Sequence, residues 1–305
     1  MSLSRRTRRS PHVADAAMTT IDAGWRADHP LPVHLGEQNK NSRGRVLAVG
    51  GGMRVPGGLL LTAEAALRAG AGKVQMASIA ALAVALGVAF PEAGVVALDA
   101  DDAGEIAPGQ ALIDAAGRAD AVVVGPGMSD PDAAARLVAA LCTDPLADIT
   151  LILDAAAVTC LGAFDRDLAP YRNRLILTPH LGEMAALLGR EAEAIADDQP
   201  RYAAEVASRF RAVVALKGSE TVVAAPDGTL LQYEGGGIGL GTGGSGDVLA
   251  GIITGLASRG ADPLLATGWG VWTHGEAGRR LAADIGPMGF LARELLPVIP
   301  SLLPR

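Results

Sequence analysis

Short apolar runs alternate with longer stretches of helical period along this chain. The runs that we interpret as β-strands are Arg45–Val49, Lys73–Ala77, Gly94–Leu98, Ala121–Val124, Thr150–Asp154, Leu175–Thr178 and Val213–Leu216. Most of them are continuously apolar rather than alternating, which is typical of parallel strands covered by helices on both faces. The pattern therefore predicts one α/β domain built on a mainly parallel sheet.

Other segments carry helix and turn signals. Ser129-Asp130-Pro131 predicts a helix start, because a capping residue precedes a proline in the first turn. Residues 220–234 predict a β-hairpin, since Asp227-Gly228 is a strong turn signal between two apolar runs. After Gly246 the period is helical throughout, and the predicted helices are Val248–Ala257, Leu264–Ala283 and Phe290–Leu296.

Residues 74–91 form one uncharged stretch of 18 residues, which is just long enough to test as a membrane span. The stretch contains Gln75, Ser78 and Pro91 and is rich in alanine, which is only weakly apolar. A buried strand followed by a buried helix explains it better. We therefore expect no membrane partner.

Composition and charge narrow the class of protein further. Of the 305 residues, 50% are hydrophobic and 19% are charged, which excludes a disordered chain and allows a large core. The net charge of −7 leaves no large basic field for a nucleic acid. The two cysteines, Cys142 and Cys160, exclude a disulfide framework and a cysteine-rich zinc site, and they fit a reducing cytoplasm.

The strongest local motif is a glycine-rich loop, Gly241-Thr242-Gly243-Gly244-Ser245-Gly246-Asp247, which opens an apolar helix. Converging backbone N–H groups and the positive end of a helix dipole suit an anion or phosphate. The loop also fits the dinucleotide pattern G-x-G-x-x-G, but Gly235-Gly236-Gly237 stands where that pattern needs a strand. We therefore predict a phosphate cradle, with a simple N-cap as the alternative role of Asp247.

Polar residues and glycines follow several predicted strands. Pro179-His180-Leu181-Gly182-Glu183 follows one strand, Lys217 ends another, and Gly125-Pro126-Gly127 ends a third. Ligands of open α/β sheets bind at the carboxyl ends of the strands, so these residues are candidates for one site. The alternatives are a helix start with Glu183 in its first turn and a solvated strand end at Lys217.

Together these segments resemble the ADP/ATP-dependent NAD(P)H-hydrate dehydratase family of the ribokinase-like superfamily. The matching blocks, in order, are Pro56-Gly57-Gly58, residues 66–72, Gly125-Pro126-Gly127, Leu153-Asp154-Ala155, residues 179–183, Leu216-Lys217-Gly218 with Thr221, and residues 243–251. The resemblance covers roughly residues 40–300. It implies a ribokinase-like three-layer sandwich with helices on both faces of the sheet. We expect a single catalytic domain at residues 36–305 and a flexible N-terminal extension at residues 1–35.

The resemblance also implies an activity, that of a carbon–oxygen lyase. Family enzymes return the S epimer of hydrated NADH or NADPH to the reduced cofactor and consume ADP in bacteria or ATP in eukaryotes. No epimerase domain precedes the matching blocks, so we expect this chain to take the S hydrate directly. A separate epimerase would act upstream, and a homo-oligomer such as a tetramer is expected. Mg²⁺ would bridge phosphate oxygens, and no protein ligand is assigned to it.

Roles are carried over residue by residue. Asp247 would be the catalytic base that takes the hydroxyl proton while the oxygen attacks ADP. Contacts to the hydrated nucleotide are expected from Gly58, Gly127, His180 and Asp247, although the family often has alanine where Gly58 stands. Contacts to ADP are expected from Lys217, Gly218, Ser219, Glu220, Thr221 and Gly246. The anion hole for the transferring phosphoryl group would consist of Gly244, Ser245 and Gly246.

Two other functions compete with this interpretation. A ribokinase-like kinase acting on a hydroxymethylpyrimidine, thiazole or pyridoxal alcohol would use the same Gly-Asp device. Such kinases resemble Pro-Asn-x-x-Glu where this chain has Pro-His-Leu-Gly-Glu, so His180 discriminates between the two. A non-catalytic nucleotide-binding protein is the second alternative, and the presence of both Lys217 and Asp247 argues against it.

Overall fold

A twisted sheet forms the centre of the molecule. The computed structural model describes residues 18–32, 43–143, 146, 148–164 and 168–304. Ten strands join in one sheet within these residues: β1 Thr19–Thr20, β2 Arg45–Val49, β3 Lys73–Ile79, β4 Gly94–Leu98, β5 Ala121–Val124, β6 Thr150–Leu153, β7 Leu175–Leu177, β8 Val213–Leu216, β9 Thr221–Ala224 and β10 Leu230–Tyr233.

The strand order across the sheet is β1-β10-β9-β8-β7-β6-β5-β2-β3-β4. All neighbours from β8 to β4 are parallel, whereas β9 is antiparallel to both β8 and β10. The carboxyl ends of β2, β5, β6, β7 and β8 therefore meet at one edge of the sheet.

Helices cover both faces of this sheet. They are α1 Ala23–Asp28, α2 Gly57–Arg68, α3 Ala80–Ala89, α4 Gln110–Ala116, α5 Pro131–Thr143, α6 Ala156–Thr159, α7 Leu181–Leu188, α8 Ala192–Asp197, α9 Gln199–Phe210, α10 Ser245–Ser258, α11 Pro263–Asp284, α12 Ala292–Leu295 and α13 Ile299–Leu302. Along β2, Val46 and Ala48 pack into one core while Leu47 and Val49 pack into the other. The result is the predicted three-layer α/β sandwich.

The predicted strands are confirmed, with small shifts at their ends. β6 ends at Leu153 and β7 at Leu177, so Asp154 and Thr178 lie just beyond the strands. The hairpin of β9 and β10 forms as predicted. The helix predicted near Ser129 begins at Pro131, and Asp130 is its cap because its carboxylate accepts the N–H groups of two residues of the first turn.

Helix α3 differs from its prediction as a buried helix. Leu86 is its buried residue, whereas Val84 and Val88 are 79% and 77% exposed. The helix packs against β3 and the edge strand β4, and its other side is exposed at Val84 and Val88. No helix of the described chain is long and apolar enough to cross a membrane.

Part of the predicted N-terminal extension is packed against the domain. Within residues 18–32, β1 pairs with β10 and Trp25 of α1 is buried. The indole N–H of Trp269 donates to the carbonyl of His29 at 2.8 Å, which ties this segment to α11. Residues 1–17 and 33–35 of the predicted extension lie outside the described residues.

Close packing of α2 against α10 places the glycine-rich loop. A methyl group on Gly251 would lie 2.3 Å from the carbonyl oxygen of Thr62, and one on Gly255 would lie 2.6 Å from that of Ala66. The two helices can therefore approach only because α10 lacks side chains at these positions. This contact brings the start of α10 to the carboxyl edge of the sheet.

Candidate active site

The sheet edge and the start of α10 bring most of the predicted site residues together. Gly127 follows β5, Lys217 follows β8, and His180 follows β7 as the N-cap of α7. Gly58 lies in the first turn of α2 and Asp247 in the first turn of α10. The site thus lies where ligands bind in open α/β sheets.

Asp247 points away from its own helix. Its Oδ1 accepts a hydrogen bond from the backbone N–H of Gly127 at 3.2 Å. The N-cap of α10 is Gly244, with φ +90°, and no side chain among the described residues caps this helix. The alternative role of Asp247 as a plain N-cap is therefore wrong, and its carboxylate remains available to a ligand.

The environment of Asp247 favours the protonated acid. Burial raises the pKa of Asp247 from 3.8 to about 6, and the nearby Asp154 carboxylate acts in the same direction, against the Gly127 N–H and Lys217. A carboxyl group with such a pKa is mostly ionised at neutral pH and can still accept a proton readily. This is the range expected of a general base.

Gly58 and Gly127 contact each other beside the Asp247 carboxylate. A Cβ atom on Gly58 would stand 2.9 Å from the Cα and N atoms of Gly127 and 3.0 Å from Asp247 Oδ1. Gly127 itself has φ +68°, and a Cβ there would lie 2.4 Å from the carbonyl oxygen of Val55. The buried Thr62 hydroxyl lies 3.1 Å from the carbonyl oxygen of Gly58 and 3.0 Å from that of Asp247. These contacts fix the carboxylate relative to the two glycines.

Lys217 is paired and only 20% exposed, so it is not the solvated strand end of the alternative interpretation. Its Nζ lies 3.0 Å from Asp154 Oδ1 and 3.9 Å from Glu183 Oε2. A Cβ on Gly246 would be 3.3 Å from the same Nζ, so the ammonium group lies at the start of α10. Lys217 therefore joins the glycine loop to the sheet edge.

Asp154 belongs to one of the matching blocks but is not among the predicted site residues. Its buried Oδ1 accepts a hydrogen bond from the Thr178 hydroxyl at 2.6 Å as well as from Lys217. Asp154 immediately follows β6, and its position after a strand end was the signal that could have identified it. The residue after it, Ala155, has φ +49° and ψ −127°, a backbone conformation that costs a non-glycine residue energy.

The charges of this cluster are coupled to one another. Burial alone would lower the pKa of Lys217, but the Asp154 and Glu183 carboxylates outweigh it and raise that pKa. Burial also raises the pKa of Glu183, against the stabilising charge of Lys217. Lys217 is therefore held as a cation by its carboxylate neighbours.

His180 and Glu183 form a capping box at the start of α7. His180 Nδ1 accepts the backbone N–H groups of Gly182 and Glu183 at 3.0 and 3.2 Å. In return, Glu183 Oε2 accepts the N–H of His180 at 2.7 Å. Glu183 thus has the structural role of the alternative interpretation, and it also lies near Lys217. The His180 side chain is 58% exposed, so it can still meet a ligand.

The remaining predicted nucleotide contacts form the turn between β8 and β9. Gly218, Ser219 and Glu220 connect the strands, and Thr221 begins β9. The Glu220 carboxylate accepts a hydrogen bond from the Gln232 amide of β10. The Glu220 side chain therefore faces the β9–β10 hairpin rather than Asp247. ADP binding by this turn is still a prediction.

Ser245 and His274 make a contact at this site that sequence reasoning missed. The Ser245 hydroxyl lies 2.9 Å from Nε2 of His274, which belongs to the middle of α11. Burial lowers the pKa of His274 from 6.5 to about 4, and the Lys217 charge adds to this, against a hydrogen bond with the Ser245 backbone. The histidine is therefore neutral at physiological pH. A lone histidine in a helical pattern carries no sequence signal for such a contact.

A cavity of about 550 Å³ opens beside Asp247. Its walls include Gly58, Leu61, Phe90, Thr242, Gly244 and Leu291. This is a normal volume for a small-molecule site, with a carboxylate and a glycine loop at one side of a largely apolar space. No cluster of three or more metal-ligating side chains occurs among the described residues, so the protein offers no ready-made metal site there.

Comparisons with known proteins identify the family of this chain. The profile of the NAD(P)H-hydrate dehydratase family matches residues 46–301. The ADP-dependent (S)-NAD(P)H-hydrate dehydratase of Xanthomonas campestris pv. campestris is 47% identical over 287 residues, which are 94% of this chain and 96% of that one. The chain also matches bifunctional NAD(P)H-hydrate repair enzymes, of whose length it spans about half.

The fold is also similar to that of solved structures. The ADP/ATP-dependent NAD(P)H-hydrate dehydratase of Bacillus subtilis, co-crystallised with ATP and Mg²⁺, is 28% identical with a TM-score of 0.72, over 89% of this chain and 93% of that one. A ribokinase-like superfamily protein from Enterococcus faecalis has a TM-score of 0.77 at 24% identity, over 93% and 94% of the two chains, and supports the fold alone. The extent of the profile match and the 47% identity lead to one assignment: this chain belongs to the NAD(P)H-hydrate dehydratase family.

Proposed function

We propose that this protein converts the S epimer of hydrated NADH or NADPH to the reduced cofactor and consumes ADP, giving AMP and phosphate. The observation that carries the proposal is the Asp247 carboxylate. Asp247 lies in the first turn of α10 and accepts a hydrogen bond from the Gly127 N–H at 3.2 Å. Its carboxylate lines the cavity, and its pKa is raised to about 6. Family membership supports the reaction class, and the position of Asp247 supports its role as the base.

Asp247 would act on the hydroxyl group of the hydrate. Hydroxide is a poor leaving group, so the oxygen first attacks the terminal phosphorus of ADP while its proton passes to Asp247. AMP leaves, and the hydrate now carries a phosphate ester. The lone pair of the ring nitrogen then expels phosphate from the carbon that carried the hydroxyl. The next ring carbon loses a proton to solvent, which restores the dihydronicotinamide.

The start of α10 would hold the charge of the transferring phosphoryl group. We propose that Gly244, Ser245 and Gly246 line the anion hole, because the dipole at a helix N-terminus is positive. The backbone N–H of Ser245 donates to the Thr242 carbonyl at 3.2 Å, so Gly244 and Gly246 would supply the backbone N–H groups. Lys217 lies beside Gly246 and would contact the ADP phosphates together with the turn Gly218–Thr221. Gly58, Gly127 and His180 would contact the hydrate.

Mg²⁺ is expected to arrive with the nucleotide. The described residues form no metal-ligating cluster of three or more side chains, so we assign the ion no protein ligand. When bound to phosphate oxygens, Mg²⁺ neutralises their charge. The protein's own contribution would be Lys217 and the α10 terminus.

One assay tests the function. The protein is incubated with the S hydrate and either ADP or ATP, and the absorbance of the reduced nicotinamide is followed. We expect recovery that requires a nucleotide and favours ADP, while recovery without nucleotide would exclude this mechanism. A second arm offers ATP with a hydroxymethylpyrimidine, a thiazole alcohol or pyridoxal; phosphate transfer to one of these would favour the kinase alternative.

The assembly and cellular setting are proposals of the same kind. The uncharged face of α3, with Val84 and Val88 exposed, supports a homo-oligomer such as a tetramer, which light scattering would test. The sequence has two cysteines, Cys142 and Cys160, which are too few for a disulfide framework, and this supports a cytoplasmic location. Because the proposed site takes the S epimer, an epimerase acting upstream would supply it from the R epimer.

A further inference from the structure

His274 lies next to the proposed anion hole but on a different helix. Its Nε2 is 2.9 Å from the Ser245 hydroxyl, and Ser245 is the first residue of α10 and is buried. Ser245 is flanked by Gly244 and Gly246, so its hydroxyl is the side-chain donor nearest the first backbone N–H groups of α10. The contact therefore decides where one specific proton of the site points.

The direction of this hydrogen bond has chemical consequences. A neutral imidazole carries one N–H, on Nδ1 or on Nε2. If Nε2 carries the proton, His274 donates to the serine oxygen, and the serine proton is free to be donated elsewhere. If Nε2 is bare, the serine proton is donated to His274 and is lost to any ligand.

The surroundings keep the His274 ring neutral, so it carries a single N–H. Burial and the Lys217 charge keep the pKa of His274 at about 4, so the ring adds no second cation beside Lys217. A hydrogen bond with the Ser245 backbone acts in the opposite direction on this pKa. When Nε2 carries the single proton, the serine proton is free for an anion at the start of α10.

We propose that His274 is a positioning residue: its Nε2–H holds the Ser245 hydroxyl oxygen so that the serine proton is donated to the phosphoryl group in transfer. This inference rests on the proposed function and deepens it, because it assigns the orientation of one donor in the same site. His274 itself touches neither substrate nor nucleotide.

Kinetics of matched variants test the proposal. His274→Leu removes the hydrogen bond at similar size, whereas His274→Gln keeps an amide N–H near the Nε2 position. We expect His274→Leu to lower kcat by about 10–100-fold, with KM for ADP changed less, and His274→Gln to recover most of the activity. Ser245→Ala should match His274→Leu, and the double variant should be no slower than Ser245→Ala. Effects that multiply in the double variant would overturn the proposal.

Nitrogen NMR of the histidine ring provides a readout that does not depend on turnover. The His274 signals are identified by their loss in His274→Gln. We expect the neutral Nε2–H tautomer in the full-length protein at pH 7, and a shift on addition of ADP that Ser245→Ala abolishes. A bare Nε2 overturns the proposal even if His274→Leu fails to fold. If the wild-type protein does not dehydrate the hydrate while these NMR results hold, the proposed function fails and the His274–Ser245 link stands.

Discussion

Lys217 Nζ lies 3.0 Å from Oδ1 of Asp154, and Glu183 and Asp247 are two further carboxylates in its neighbourhood. The negative charge around this lysine therefore exceeds its own. An ADP phosphate that enters must compete with Asp154 for the ammonium group. Because Thr178 also donates to Asp154, that carboxylate keeps a partner when Lys217 turns to the nucleotide.

Replacing Lys217 with methionine should weaken nucleotide binding. A charge-assisted hydrogen bond contributes about 1.5–3 kcal/mol, so ADP affinity should fall by about 10–100-fold. Affinity for the hydrate should change less. Calorimetric titration with ADP measures the first, and KM for the hydrate reports the second. Lys73→Met is the control, because Lys73 is an exposed residue at the start of β3, far from this edge. Equal ADP affinity in both variants would contradict the assignment.

Asp247→Asn should separate chemistry from folding. Asparagine keeps an oxygen for the Gly127 N–H but cannot take a proton, so kcat should fall by about 10²–10⁴-fold. ADP affinity should hold or rise slightly, since one negative charge near the phosphates is lost. Asp132→Asn, in the exposed first turn of α5, is the control and should leave kcat unchanged. A near-normal kcat for Asp247→Asn would exclude this residue as the base.

The same variant should be more stable than the wild type at neutral pH. The folded-state pKa of Asp247, about 6, lies above its usual 3.8, so ionisation destabilises the folded state as the pH rises from about 4 to 6. The neutral asparagine side chain carries no such penalty, and the free energy of unfolding should be about 1–3 kcal/mol higher at pH 7. At pH 4 the folded Asp247 carboxyl of the wild type is protonated while the unfolded one is about half ionised, so most of the difference should be gone. Urea titrations at pH 4 and pH 7 measure both values; a lower stability at pH 7 contradicts the pKa assignment.

The pH dependence of turnover offers a separate check. Only ionised Asp247 can accept the hydroxyl proton, so kcat/KM should decline below a pKa of about 6. Lys217 lowers the pKa of Asp247, so in Lys217→Met this acid limb should move to higher pH. His274 titrates near 4 and should not contribute above pH 5. Initial rates from pH 5 to pH 9 test these statements, and a flat profile with no acid limb near pH 6 would point to a different base.

Much of the fold could be predicted because the strands are continuous apolar runs in the sequence. Most of the candidate site could be predicted because its residues follow the ends of those strands. Asp247 and Lys217 could be predicted from a glycine loop and a strand end. The exposure of α3 could not, because an uncharged run such as residues 80–89 looks the same in a core and on a surface. The contacts of Asp154, Thr62 and His274 also escaped, since each joins elements that are distant in sequence.

The contact between Gly58 and Gly127 gives a steric prediction. A Cβ at residue 58 would lie 2.9 Å from Gly127 Cα and N, so in Gly58→Ala the Gly127 loop must shift by a few tenths of an ångström. That shift lengthens the bond from the Gly127 N–H to Asp247 and displaces the carboxylate from the hydrate.

Although the family often has alanine at this position, in this chain the displacement should lower kcat/KM for the hydrate about tenfold while ADP affinity stays unchanged, since small displacements of catalytic groups are costly. Gly87→Ala is the matched control: Gly87 also lies in a helix, but its Cβ would meet only Val95 Cγ2 at an ordinary 3.6 Å. That variant should gain up to about 1 kcal/mol of stability and keep wild-type kinetics. Steady-state kinetics with the S hydrate and ADP decide the matter: if Gly58→Ala matches the wild type in kcat and KM, the contact with Gly127 does not position Asp247.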